Sequence, residues 1–94
     1  MAFNILLSKK ASIEIENAIT YYSEINKNLG ERFYAEFLEN LNYIRINPFL
    51  FQLKFDVYRE VLLKTFPFVI VFEIIDNSII VNAVFDTSRN PEKK

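Results

Sequence analysis

The side chains best suited to polar chemistry in this sequence are two arginines, a lysine and a tyrosine. Tyr58 and Arg59 open the segment YREVLLKTF, Lys64 lies near its end, and Arg89 follows the last apolar run in AVFDTSRNPEKK. Guanidinium groups bind phosphate and carboxylate through two parallel hydrogen bonds, so Arg59 and Arg89 gathered at one sheet edge would suit anion recognition. Arg59 equally fits a surface residue whose stem lies along an apolar strand. Asp86, Thr87 and Ser88 are short polar residues that close turns on their own backbone, and Asp86 is also placed to pair with Arg59 or Arg89. Lys93 and Lys94 read as solvated tail. The chain has no histidine and no cysteine. That excludes disulfides, thiolate metal sites and every Ser-His or Cys-His triad. No spacing matches a phosphate-cradling loop, a dinucleotide fingerprint or a carboxylate metal site, so neither cofactor nor metal is expected.

These residues need a scaffold, and the chain is long enough for one. Its 94 residues, half of them hydrophobic and only one a glycine, describe a single ordered domain over 1–94. The net charge of −1 gives no global attraction to nucleic acid. No apolar run reaches membrane-spanning length, and the N-terminus lacks the basic start and cleavage site of a secretion signal. A soluble cytoplasmic protein is the expectation.

Residues 2–7 read as a short edge strand, and Ser8 as the N-cap of a helix. Ala11, Ile15, Ala18, Ile19 and Tyr22 then recur at steps of three and four, one face of that helix. NKNLG at 26–30 reads as a break, with Gly30 free to take a positive φ. A second helix carries Phe33, Phe37, Leu41 and Ile44 on its main stripe, widened by Tyr34 and Leu38, and stops at Asn47-Pro48. Tyr22, Tyr34 and Tyr43 are expected in the core, leaving Tyr58 as the more exposed tyrosine. The segments 58–66, 68–75 and 79–85 are rich in Val, Ile and Phe and read as three strands, the last two joined across Asp76-Asn77-Ser78. The fold class is α+β: an N-terminal strand, an antiparallel helix hairpin, and a three-stranded antiparallel meander packed on the helices. The middle strand is apolar on both faces, with Phe68, Ile70, Phe72 and Ile74 on one and Val69, Val71 and Ile75 on the other. Such a strand needs two covers. The helices supply one. Either the N-terminal segment and the 48–55 loop wrap the second face, or a partner does.

The order of elements and several stretches resemble the RelE/ParE superfamily of toxins from type II toxin–antitoxin modules, closest to the ParE-like branch. NPFLFQLKFDVYREVLLKTFPFVIVFEI (47–74) is similar to the family's run from Asn-Pro to an arginine and then a Phe-Pro-aromatic step into an apolar strand. IIVNAVFDTSRNPEKK (79–94) resembles its last strand, with the arginine followed by a residue and proline. The resemblance implies a growth-inhibiting toxin that binds a target such as DNA gyrase and is neutralised by a cognate antitoxin within a hetero-oligomer. In that reading Arg59, Arg89, Lys64, Val69 and Val71 contact target or antitoxin. The antitoxin, laid over the apolar groove, is the missing cover. The alternative within the superfamily is a ribosome-dependent mRNA endoribonuclease of RelE type, with Arg59, Lys64, Arg89 and Tyr58 as its catalytic candidates. Near-neutral charge, the absence of histidine, and Asp86 where many relatives carry histidine set the chain apart from those basic nucleases. A non-toxic relative that retains only protein binding is the third reading, and Asp86 receives no transferred role.

Overall fold

The computed structural model describes residues 3–88. Among them are β1 (Asn4–Leu7), α1 (Lys9–Ile25), α2 (Lys27–Ile46), a 3₁₀ turn (Pro48–Leu50), β2 (Leu53–Phe55), β3 (Tyr58–Leu62), β4 (Phe68–Ile75) and β5 (Ser78–Asp86). The strands form a mixed sheet in the order β1-β5-β4-β3-β2. The expected meander is its centre, β3-β4-β5, antiparallel throughout. Two features enlarge it. β1 pairs in parallel with β5 through Leu6↔Ile80 and Leu7↔Val81. The 48–55 segment, expected as a loop, carries the 3₁₀ turn and then β2, an edge strand antiparallel to β3.

Ser8 joins helix to sheet. Its Oγ accepts the Ala11 amide at 3.0 Å as the N-cap, while its own amide donates to the Val81 carbonyl at 2.9 Å. The α1 stripe then buries Ala11, Ile15 and Ala18 against β5, and α2 buries Phe33, Phe37 and Ile44. The helix-facing side of the sheet contributes Phe68, Ile70 and Phe72 from β4 and Ile79, Val81 and Val84 from β5. Phe33 packs edge-on against Phe66 at 5.1 Å and Phe68 at 4.9 Å, with Tyr22 closing the cluster 4.9 Å from Phe66. These edge-to-face pairs add to the area they bury. Asn47 ends α2, and buried Pro48 turns the chain across the sheet so that Phe51 meets Phe72 at 5.9 Å.

Four local expectations are corrected. Gly30 lies within α2 with no positive φ; it is buried because α1 passes close, and a Cβ there would sit 1.9 Å from the Ser23 Oγ. Among the described residues, positive φ falls instead on Asp56 and Asp76, at 54° and 55°, in the tight turns before β3 and before β5. Aspartate tolerates that region better than bulkier residues do. Tyr34 and Tyr43 face solvent; only Tyr22 of the helix tyrosines enters the core. β3 ends at Leu62, because Leu63 to Pro67 turn inward around buried Leu63 and Phe66.

Candidate interaction surface

Arg59 stands on the helix-facing side of the sheet, opposite Phe72. Its Nη1 donates to the Phe51 carbonyl at 2.7 Å, and its guanidinium carbon lies 5.3 Å from the centre of the Phe49 ring. Both contacts hold the Pro48–Phe51 segment onto the sheet, one by a charge-assisted hydrogen bond and the other by cation–π attraction. Tyr58, the preceding residue, points to the opposite face, its ring 5.4 Å from Phe55, which it pairs with. Lys64 lies beyond the far end of β3, in the segment that turns inward after Leu62. Its amide, with that of Thr65 at 2.9 Å, donates to the Glu36 carboxylate on α2.

β4 intervenes between β3 and β5, so a short meander does not gather their ends. Arg59 is level with Phe72, whereas Asp86 is level with Phe68, about 13 Å along the strand. Arg89 lies outside the described residues. The Asp86 Oδ1 accepts the Ser88 amide at 2.8 Å and the Ser88 hydroxyl at 2.7 Å, the local turn its type favours. Tyr58, Arg59 and Lys64 therefore do not converge on one point.

The second face of the sheet has a different character. Leu62, Val69 and Phe85 form one cross-strand row, and Glu60, Val71 and Ala83 the next. Among the described residues neither expected intramolecular cover lies over it: β1 extends the sheet at one edge, and the 48–55 segment crosses the helix side before extending it at the other. Leu62 is 66% exposed and Phe85 42%, while Val69 between them is 2% exposed. Val71 is half-buried. The face thus presents an apolar row whose centre is already shielded by its flanks. Its carboxylates are Glu60 and Glu73, the latter held by the Asn82 side-chain amide at 3.1 Å. Asn82 is the extra residue of a bulge in β5, where Val71↔Ala83 is followed by Phe72↔Val81. The Val84 amide beyond it donates to Glu14 on α1 at 2.7 Å.

Leu62 and Phe85 are the surface residues that the pattern of motifs passed over. Strand alternation holds the signal, since Leu62 has the parity opposite to Arg59, Val61 and Leu63. The carboxylates of Glu14 and Glu36, which accept backbone amides 70 and 28 residues away, leave no local trace in sequence.

The described residues thus form an α+β domain with a helix hairpin on one side of a five-stranded sheet and an apolar row on the other. A solved structure titled "Chromosomal ParDE TA system from P. aeruginosa" contains a chain that superposes with a TM-score of 0.79 at 12% identity, covering 90% of this chain and 96% of that one. At that identity the likeness concerns the fold. A search of curated proteins returns no match. The family described as "ParE toxin of type II toxin-antitoxin system, parDE" matches residues 5–91, and the chain belongs to it. Among the described residues, no helix is long and apolar enough to cross a membrane.

Proposed function

We propose that this ParE-family toxin inhibits bacterial growth by binding a protein target such as DNA gyrase, and that a cognate antitoxin silences it by covering the outer face of β3-β4-β5. The observation that carries the reading is the exposed row of Leu62 and Phe85 on that face, in a chain whose family pairs toxin with antitoxin. An apolar face of this kind is a docking surface by default, and an extended or helical segment that orders on binding suits it. Glu60 and Glu73 on the same face favour a segment that carries basic residues among its apolar ones.

The separation of Arg59, Tyr58 and Lys64 supports a binding role over mRNA cleavage, since a nuclease needs its acid, base and phosphate ligands around one bond. The engagement of Arg59 by Phe51 and Phe49 supports a structural task for that residue.

Induced expression in a bacterial host, with and without a cognate antitoxin, tests the proposal. Growth arrest relieved by the antitoxin, together with loss of gyrase supercoiling by purified toxin, is expected. Arrest with intact supercoiling and site-specific cuts in translated message would move the assignment to the nuclease. Unimpaired growth would leave a binding module without toxicity.

A further inference from the structure

A second apolar surface lies on the helix side of the sheet, beyond the C-terminal end of α2. The turn before β3 and the turn before β5 sit at the same end of the sheet, because Arg59 pairs with Phe72 near the end of β4. Together with the 3₁₀ turn they enclose an open concavity of about 400 Å³. Leu53, Val57 and Ile74 form its walls, and Phe49 and Arg59 complete it. Phe49, Leu53 and Val57 are 59%, 49% and 50% exposed, so three large apolar side chains stand open to solvent around one concavity.

The charges around this concavity have one dominant sign. Asp56 and Asp76 line it from the two turns, and both are exposed. Arg59 is committed to the Phe51 carbonyl and the Phe49 ring, and the geometry shows no ion pair from it to either aspartate. Lys54 stands at the β2 bulge and does not line the concavity. The ionised groups of the lining are thus two exposed carboxylates and the Arg59 guanidinium, a net charge of −1 above an apolar floor.

We infer that this concavity receives an amphipathic segment of a protein partner, inserting a leucine-like side chain between Leu53 and Ile74 and setting lysine or arginine against Asp56 and Asp76. It is a surface separate from the Leu62–Phe85 row, on the other side of the sheet and at the other end of β4. The inference does not rest on the antitoxin reading. A toxin whose outer face is covered would still present it, so one chain can hold two partners at once.

Amide chemical-shift mapping on the full chain tests this. The probe is a short alanine-based helical peptide with a leucine stripe flanked by lysines, compared with a twin that carries glutamates at the lysine positions. Shifts confined to 49–59 and 74–76, with about tenfold tighter binding of the lysine peptide, are expected. That preference should vanish in the Asp56→Asn/Asp76→Asn variant, which keeps side chains that tolerate the left-handed backbone. Absence of binding, shifts centred on Leu62 and Phe85, or a preference unchanged in the variant would overturn the inference. Concentration-dependent shifts of the same amides without peptide would assign the patch to a second copy of the chain and overturn it equally.

Discussion

Substituting Leu62 and Phe85 together by threonine should weaken antitoxin binding. Threonine keeps a β-branched side chain suited to a strand while removing most of the apolar surface. Full burial of a leucine or phenylalanine is worth about 1.5–3 kcal/mol. Leu62 has 66% of its surface still exposed and Phe85 42%, so a covering antitoxin gains only that fraction from each. The loss on substitution is about 2 kcal/mol, or roughly thirtyfold in Kd. Calorimetric titration of antitoxin into the double variant reads that change, while the parts of Leu62 and Phe85 already buried in the free toxin, about a third and more than half, should cost roughly 2 kcal/mol of stability as well. Val69→Ala removes almost no exposed surface and acts on stability alone. Val69 is 2% exposed, so its truncation costs roughly 2 kcal/mol of stability and lowers Tm by about 10 °C. A double threonine variant that folds normally and binds antitoxin within twofold of the parent would refute the assignment of this face.

Gly30→Ala should destabilise despite the better helix propensity of alanine, because the new Cβ meets Ser23 Cβ at 2.9 Å and Cα at 3.0 Å as well as the hydroxyl. Overpacking of about 1–3 kcal/mol outweighs the helix gain of about 1 kcal/mol, and denaturant titration should show a smaller penalty in a Ser23→Gly background. Glu36→Ala leaves the Lys64 and Thr65 amides without their shared acceptor, so those two amides should lose hydrogen-exchange protection and stability should fall by about 1–2 kcal/mol. The Tyr43 hydroxyl donates to Glu39 at 3.0 Å, and that hydrogen bond, reinforced by the negative charge, raises its pKa above 10.0. The folded state therefore holds the phenol proton more tightly than the unfolded chain. The contact's contribution is present below pH 10 and lost as pH rises through the raised value. Absorbance titration of Tyr43 should shift back toward the ordinary range in Glu39→Gln.

Much of the scaffold is legible in the chain because single elements advertise their own buried face. Ser8 caps α1, Asn47-Pro48 ends α2, and Phe33, Phe37 and Ile44 fall on the inner stripe, all from local chemistry. The doubly apolar β4 also signals its uncovered side. What periodicity does not encode is which neighbour an element meets. β1 pairs with a strand more than 70 residues later, and β2 is three exposed residues with a lysine at the bulge, too short for a period-two signal. Tyr34 and Tyr43 carry the spacing of a core stripe yet stand outside it, since α2 is wider than the surface it covers. Gly30 suggests backbone freedom from its type alone, whereas its use is close helix approach. Arg59 was legible as a marked residue at the start of β3, but its partners Phe51 and Phe49 become neighbours only through the 3₁₀ turn.

The proposed toxin function is tested most directly by growth of a bacterial host during induced expression of this chain, alone and with a cognate antitoxin. It predicts arrest with the toxin alone and normal growth when both are made. Unimpaired growth with well-folded toxin accumulating alone would contradict it.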